Sequence, residues 1–158
     1  MKRLLLTALL LLASPAWAAT IEDATAAYAR SDYATVLKIT RPLAAKGDPF
    51  AQTFLGDSYA FGQGVVQDYA EAAKWYRLAA GQGDAQAQTN LGTMYGKGQG
   101  VPMDFVLAHM WFNLAAAKGD AVAAKNRGFA ELAMTPQQKA EAQKLARECQ
   151  ARNFKGCE

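Results

Sequence analysis

The sequence predicts an all-α solenoid, a stack of antiparallel helix pairs. Segment 51–84 recurs as segment 87–120, 36 residues on, and a fixed period of this size is typical of helical repeats. Each copy also divides into two helical stretches, because apolar residues at helical spacing are interrupted by closely spaced glycines. In such a stack most residues serve packing between neighbours, so the sequence indicates architecture more clearly than function.

The first 18 residues are predicted to be a cleaved export signal. Two basic residues precede an apolar run at 4–13, which is too short to span a bilayer as a helix, and a small-x-small site follows at 16–18. The alternative is an uncleaved membrane anchor. We expect cleavage after Ala18 and a periplasmic or secreted protein without a stable membrane anchor.

Charge and motifs argue against nucleic acid, cofactor and metal, and the sequence has no phosphate-cradling loop. The chain has 17 Lys and Arg against 14 Asp and Glu, and removing the signal takes two basic residues away, so the mature charge is about +1. The sequence holds no basic cluster with interleaved aromatic residues. One histidine and two cysteines leave too few ligands for a typical zinc site.

The repeat divides the chain into four expected units, followed by a tail at 149–158. The bounds of the units are about 19–47, 48–83, 84–119 and 120–148. In the first unit, helix A at about 21–29 is joined by Arg30-Ser31 to a helix B that begins after Asp32.

The second unit carries the full pattern. Its helix A begins at Asp48, a good N-cap, with Pro49 in the first helical position. Leu55 lies on the apolar stripe, and Gly56 beside it costs up to about 1 kcal/mol relative to Ala. We therefore expect the partner helix to approach closely at Gly56. After a glycine turn, Asp68 begins helix B.

The third unit repeats this pattern, whereas the fourth departs from it. Arg127 and Glu131 occupy the positions that Leu and Tyr hold in the preceding unit. Thr135-Pro136 is a strong start for a last helix with a polar outer face. Both features suit the closing unit of a solenoid.

The consensus LGxxYxxGxGVxxDxxxAxxWY/FxxAAxxGD resembles the Sel-one-like repeat (SLR), a subclass of the tetratricopeptide superfamily. The motif matches both full units, and partial copies extend it over nearly the whole mature chain. The resemblance implies a right-handed α/α solenoid, a tetratricopeptide-like superhelix. It also implies an adaptor for protein complexes, in an exported bacterial member, and no shared catalytic residues.

Cys149 and Cys157 are predicted to form a disulfide, since an exported protein meets an oxidising compartment. The alternative is a zinc or redox pair, against which the spacing argues because it is not CxxC. His109 is interpreted as a packed, hydrogen-bonded residue, since no Ser or Asp shares its helix face at a spacing suited to general-base catalysis.

The first helices of the units are expected to line a concave binding surface. Exposed aromatic side chains on such a surface are plausible anchors for a partner. The alternative is that these phenylalanines pack between adjacent helices. The candidate partner-binding residues are Phe50, Phe54, Asp57, Phe61, Asn90, Thr93, Lys97 and Phe129.

A second candidate surface is an apolar stripe on helix B of the third unit. Leu107, Met110 and Leu114 form it at i, i+3 and i+7, where the second unit has Glu71, Lys74 and Leu78. Either the disulfide-tied tail, with Phe154, folds over the stripe, or a partner covers it.

Together these observations predict an exported, non-catalytic scaffold or adaptor that binds another protein or peptide in the cell envelope. The alternative is an envelope enzyme or ligand binder of the β-lactam or peptidoglycan-binding type. Relatives linked to that activity carry a disulfide in each repeat, which this chain does not. A third possibility is an assembly protein that oligomerises through the apolar stripe.

Overall fold

The computed structural model describes residues 19–157, and this range folds into eight helices without a strand. The helices are α1 (Ile21–Ala29), α2 (Tyr33–Ala45), α3 (Pro49–Phe61), α4 (Tyr69–Ala80), α5 (Ala85–Lys97), α6 (Phe105–Ala116), α7 (Ala121–Glu131) and α8 (Pro136–Ala151). The predicted all-α class is confirmed. The predicted signal peptide, residues 1–18, lies outside the described residues.

Aspartate side chains begin the six helices from α2 to α7. Each carboxylate accepts a hydrogen bond from a backbone N–H of the first helical turn, which otherwise has no partner within the helix. The six residues are Asp32, Asp48, Asp68, Asp84, Asp104 and Asp120. Thr20 and Thr135 begin α1 and α8 with reciprocal capping boxes. The recurring Asp therefore fixes where each helix begins.

The helices pair and stack as a solenoid requires. Helix α1 packs on α2, α3 on α4 and α5 on α6, and each pair contacts the next one. Gly56 admits the ring of Tyr76, since a Cβ at position 56 would lie 2.5 Å from Tyr76 Cε1. Gly92 faces Phe112 in the same way, at 2.8 Å. The expected close approach at Gly56 is therefore confirmed, and it recurs one repeat later.

The last helix does not pair with α7, its expected partner in the fourth unit. Within residues 19–157, α8 packs closely against α6 and makes little contact with α7. Met110 and Leu114 of α6 are buried, and Leu107 shares a cavity lining with Leu145 of α8. The apolar stripe is thus covered by α8, so that the interpretation of it as a partner or oligomerisation surface is wrong.

The predicted Cys149–Cys157 disulfide is present, with an S–S distance of 2.02 Å. It closes a turn in which Phe154 N–H donates to the Cys149 carbonyl at 2.9 Å. The Phe154 ring lies against Gly83 in the α4–α5 turn, with Lys118 Nζ 4.3 Å from its centre. Phe154 therefore packs against this turn and not on the stripe, which was one of the two alternatives in the sequence analysis.

Candidate functional site: the A face

Three cavities open on the surface formed by α3, α5 and α7, which lie side by side. We call this surface the A face. The first cavity, about 440 Å³, lies between the N-terminal halves of α3 and α5. The second, about 200 Å³, lies where the end of α3 meets α5, and the third, about 280 Å³, lies between α5 and α7.

All eight candidate residues from the sequence line these cavities. Three of them, Phe50, Phe54 and Asp57, line the first. The second is lined by Phe61, Asn90, Thr93 and Lys97, and the third by Phe129 together with Thr93 and Lys97. The structure therefore brings the candidates together along one face, in three adjacent groups.

The four phenylalanines differ in exposure. The side chains of Phe50, Phe61 and Phe129 are 60%, 65% and 59% exposed. Phe54 is half-buried, and its ring centre lies 5.8 Å from that of Tyr28 on α1. Phe54 thus packs between adjacent helices, which was the alternative to partner binding, whereas the other three rings are available to a partner.

Asp57 is buried rather than displayed, with 7% of its surface exposed. Its Oδ1 accepts hydrogen bonds from Tyr76 Oη at 2.6 Å and Asn90 Nδ2 at 3.0 Å, and its Oδ2 accepts one from Gln86 Nε2 at 3.4 Å. Burial raises the pKa of Asp57 to about 6, and the Asp84 charge adds to this, while the Tyr76 hydrogen bond opposes it. Asp57 therefore organises the A face from within, as the acceptor of a fixed network.

The hydrogen bond between Tyr76 and Asp57 was not predicted by the sequence analysis. Burial and the neighbouring Asp57 carboxylate raise the pKa of Tyr76, so its hydroxyl stays protonated and donates. One repeat later Thr93 and Phe112 stand at the positions of Asp57 and Tyr76. Comparing the two units at these positions would have revealed that this polar pair is peculiar to the second unit.

Two side chains of the A face have no side-chain partner within residues 19–157. Asn126, which the sequence analysis did not single out, lines the third cavity and stands 36 residues after Asn90. Its side chain makes no hydrogen bond within residues 19–157. Lys97 ends α5, is exposed, and forms no ion pair within the same range. An amide and a cation are therefore available here to a bound molecule.

His109 lies away from these cavities and is buried, as the sequence analysis predicts. Its Nε2 lies 2.9 Å from Glu131 Oε1. Arg127 Nη1 donates to Asn113 Oδ1 at 2.7 Å, and Arg127 Nε lies 3.8 Å from Glu131 Oε1. The two polar residues that replace Leu and Tyr in the fourth unit thus bind α6 through a polar network.

Neither metal ligation nor membrane crossing finds support in residues 19–157. No group of three or more His, Cys, Asp or Glu side chains in this range is arranged to hold a metal ion. None of its helices combines the length and apolarity that crossing a bilayer requires. The A face instead offers rings, amides and a cation, which suit binding more than bond-breaking chemistry.

Comparison with known proteins identifies the repeat. The family model "Sel1 repeat" matches residues 49–84 and 85–120. Sel1 repeat proteins generally mediate protein–protein interactions and are typically non-catalytic. A search among curated proteins returned no match.

Two solved structures share the fold. One is a protective antigen of uropathogenic Escherichia coli strains displaying an SLR fold, 30% identical, with a TM-score of 0.79. The match covers 84% of this chain and 30% of that one. The other is a Sel1 repeat protein from Oxalobacter formigenes, 33% identical, with a TM-score of 0.66, covering 70% of this chain and 45% of that one. The chain thus spans less than half the length of either protein.

Proposed function

Because this chain is a Sel1-like repeat protein, we propose that it is an exported, non-catalytic adaptor that binds another protein of the cell envelope through its A face. The observation that carries the proposal is a set of three exposed phenylalanines on that face, Phe50 and Phe61 near the two ends of α3 and Phe129 on α7. Each ring borders a cavity, and aromatic anchors beside pockets dominate the energetics of many interfaces.

The other apolar surfaces of the chain are poorer candidates for the binding surface. The apolar stripe of α6 is covered by α8 and therefore unavailable. Other large apolar side chains that are exposed, such as Val66 and Leu78, stand outside the A-face cavities. Single exposed apolar residues need no partner, whereas three exposed rings on one face, each bordering a cavity, do suggest one.

The binding proposal is tested by placing a photo-crosslinking amino acid at Phe61 or Phe129 in the full-length chain, in its native cells. We expect irradiation to give a discrete crosslinked species at both positions. The matched control is Leu78, which is also exposed and apolar but lies on α4. If all three positions give the same products or none, the A face is not the binding surface.

Export is tested on the same cells. Cleavage after Ala18 predicts a mature protein that begins at Ala19, found in the periplasmic or medium fraction by intact-mass spectrometry. Retention of the full mass in the membrane fraction would instead identify an uncleaved anchor.

The non-catalytic part of the proposal is tested with a fluorogenic β-lactam and a fluorescent penicillin. We expect purified protein to neither hydrolyse the first nor become labelled by the second. Turnover or labelling above a heat-denatured control would favour the envelope-enzyme or ligand-binder alternative.

A further inference from the structure

The second and third cavities adjoin each other, because Thr93 and Lys97 line both. We call the two together the Lys97 groove. Apolar rings lie on either side of Lys97, with Phe61 and Tyr69 in one cavity and Phe105 and Phe129 in the other. The groove can therefore accept two apolar side chains, one on each side of the lysine.

The lining of the groove carries a positive charge. Among the described residues that line the two cavities, Lys97 alone carries a charge, and no described carboxylate pairs with it. The buried Asp57 lines the first cavity and is engaged by Tyr76, Asn90 and Gln86. A ligand that enters the groove therefore meets the Lys97 cation between apolar walls. Lys125 adds a second positive charge at the edge, with its Nζ 5.7 Å from the centre of the Phe129 ring.

The amides of the groove favour a polypeptide. Asn90 lines one cavity and Asn126 the other, one repeat apart. Asn90 uses its Nδ2 to bind Asp57, which leaves its Oδ1 as an acceptor, whereas Asn126 retains both its donor and its acceptor. Side-chain amides can pair with the alternating N–H and C=O groups of an extended backbone, a pattern that neither a small anion nor a glycerolipid offers.

We infer that the Lys97 groove binds an extended peptide segment of a partner protein in which an acidic side chain pairs with Lys97 and an apolar side chain on each side of it enters a flanking cavity. This inference rests on the proposed function, since it names the chemistry of the partner for the same face. It makes Lys97 the residue that selects the sign of the partner's charge, whereas Phe61 and Phe129 supply affinity.

The experiment selects random displayed peptides on the purified mature protein and on two variants. Wild type is expected to enrich peptides with Asp or Glu between apolar residues. Lys97→Glu is expected to deplete these and enrich peptides with Lys or Arg at the same place. The matched control is Lys38→Glu, which reverses an exposed lysine on α2, far along the chain from the groove, and should leave the selection unchanged.

Fluorescence anisotropy then quantifies the best peptide of the wild-type selection. We expect Lys97→Glu to weaken its binding about tenfold, and replacing the acid of the peptide by Lys to do the same to wild type. Combining the two reversals should restore most of the affinity. Peptides without an acid, or binding that is indifferent to Lys97→Glu, would overturn the inference.

The outcome separates this inference from the proposed function. If Phe61 and Phe129 crosslink a partner in cells, but that crosslink survives Lys97→Glu undiminished, the A face binds a partner and the assigned chemistry is wrong. If no peptide is enriched over a variant with Phe61→Ala and Phe129→Ala, and no crosslink forms, both are wrong.

Discussion

Tyr76 Oη donates a hydrogen bond of 2.6 Å to Asp57 Oδ1 and thereby joins α4 to α3. Asp57 lines the first cavity of the A face and Tyr76 lines the second, so this bond fixes two parts of the surface relative to each other. Asn90 adds α5 to the same oxygen. One buried carboxylate thus holds together three helices that belong to two successive repeats.

Asp57→Asn should change the pH dependence of stability. The ordinary pKa of 3.8 is raised to about 6 in the folded chain, chiefly by burial. Between these values the folded chain holds a proton that the unfolded chain has released, so the free energy of unfolding falls as pH rises. The shift corresponds to about 3 kcal/mol, lost between about pH 4 and pH 6.

Urea unfolding of wild type and Asp57→Asn at pH 4.5 and pH 7 measures this effect. The asparagine carries no charge and can still accept from Tyr76 and Asn90. We expect the variant to gain stability relative to wild type as pH rises across this interval. If the free energy of unfolding changes by the same amount between the two pH values in both proteins, the assignment of a raised pKa to Asp57 is wrong.

Gly92→Ala should destabilise the chain by about 1–3 kcal/mol, because the new methyl group would overpack the ring of Phe112. The position of its Cβ lies only 2.8 Å from that ring. Gly128→Ala is the matched control, one repeat later on α7, where the added Cβ meets nothing within 4 Å. There the substitution should stabilise by about 0.5–1 kcal/mol through helix propensity, and thermal unfolding measures both. Opposite signs are expected, and equal effects would refute the ring-on-glycine packing.

Leu114→Ala and Leu78→Ala test whether α8 packs on the apolar stripe of α6. The two leucines occupy equivalent repeat positions, but Leu114 is 2% exposed and Leu78 is 52% exposed. We expect Leu114→Ala to cost about 2–5 kcal/mol and Leu78→Ala to change stability by no more than about 0.5 kcal/mol. Denaturant midpoints measure the difference. Similar small effects at both positions would mean that α8 does not pack on α6 in solution.

Replacing Cys149 and Cys157 together by serine should lower the free energy of unfolding by about 2.5 kcal/mol, since the disulfide closes a short loop. Hydrogen exchange should also quicken at the amide of Phe154, which donates to the Cys149 carbonyl. Oxidised wild type treated with reductant should reproduce both changes. An unaltered unfolding midpoint together with unaltered exchange would contradict a stabilising role for the tail.

The sequence predicts the repeated part of the fold well, because the local signals agree with one another. Aspartate N-caps and glycine turns point to the same helix bounds. The partner of α8 is harder to predict, since α7 and α6 both lie within reach of it. Helix α8 packs on the helix that offers it the more apolar face. That helix is α6, with the stripe around Met110, because α7 carries Arg127 and Glu131.

The candidate site is predicted in position but not in detail. Periodicity places Asp57 on the outward side of α3, yet α5 of the next unit covers it through Gln86 and Asn90. Such burial depends on the rotation between neighbouring repeats, which one sequence does not specify. For the same reason the sequence could not tell that Phe54 packs on Tyr28 while Phe61 stays exposed.

Because α8 packs on α6, the helix pairs are expected to unfold in a fixed order along the stack. A continuous apolar cluster runs from Ala60 to Cys157, whereas α1, which buries only Ala24 and Ala27, lies outside it. A repeat stack unfolds first where the contact between neighbouring units is weakest. Unfolding is therefore expected to start at α1 and to proceed toward the end that the Cys149–Cys157 disulfide closes. A protease would then shorten the protein pair by pair from the α1 side, and the surface around Lys97 would be among the last parts to lose its shape.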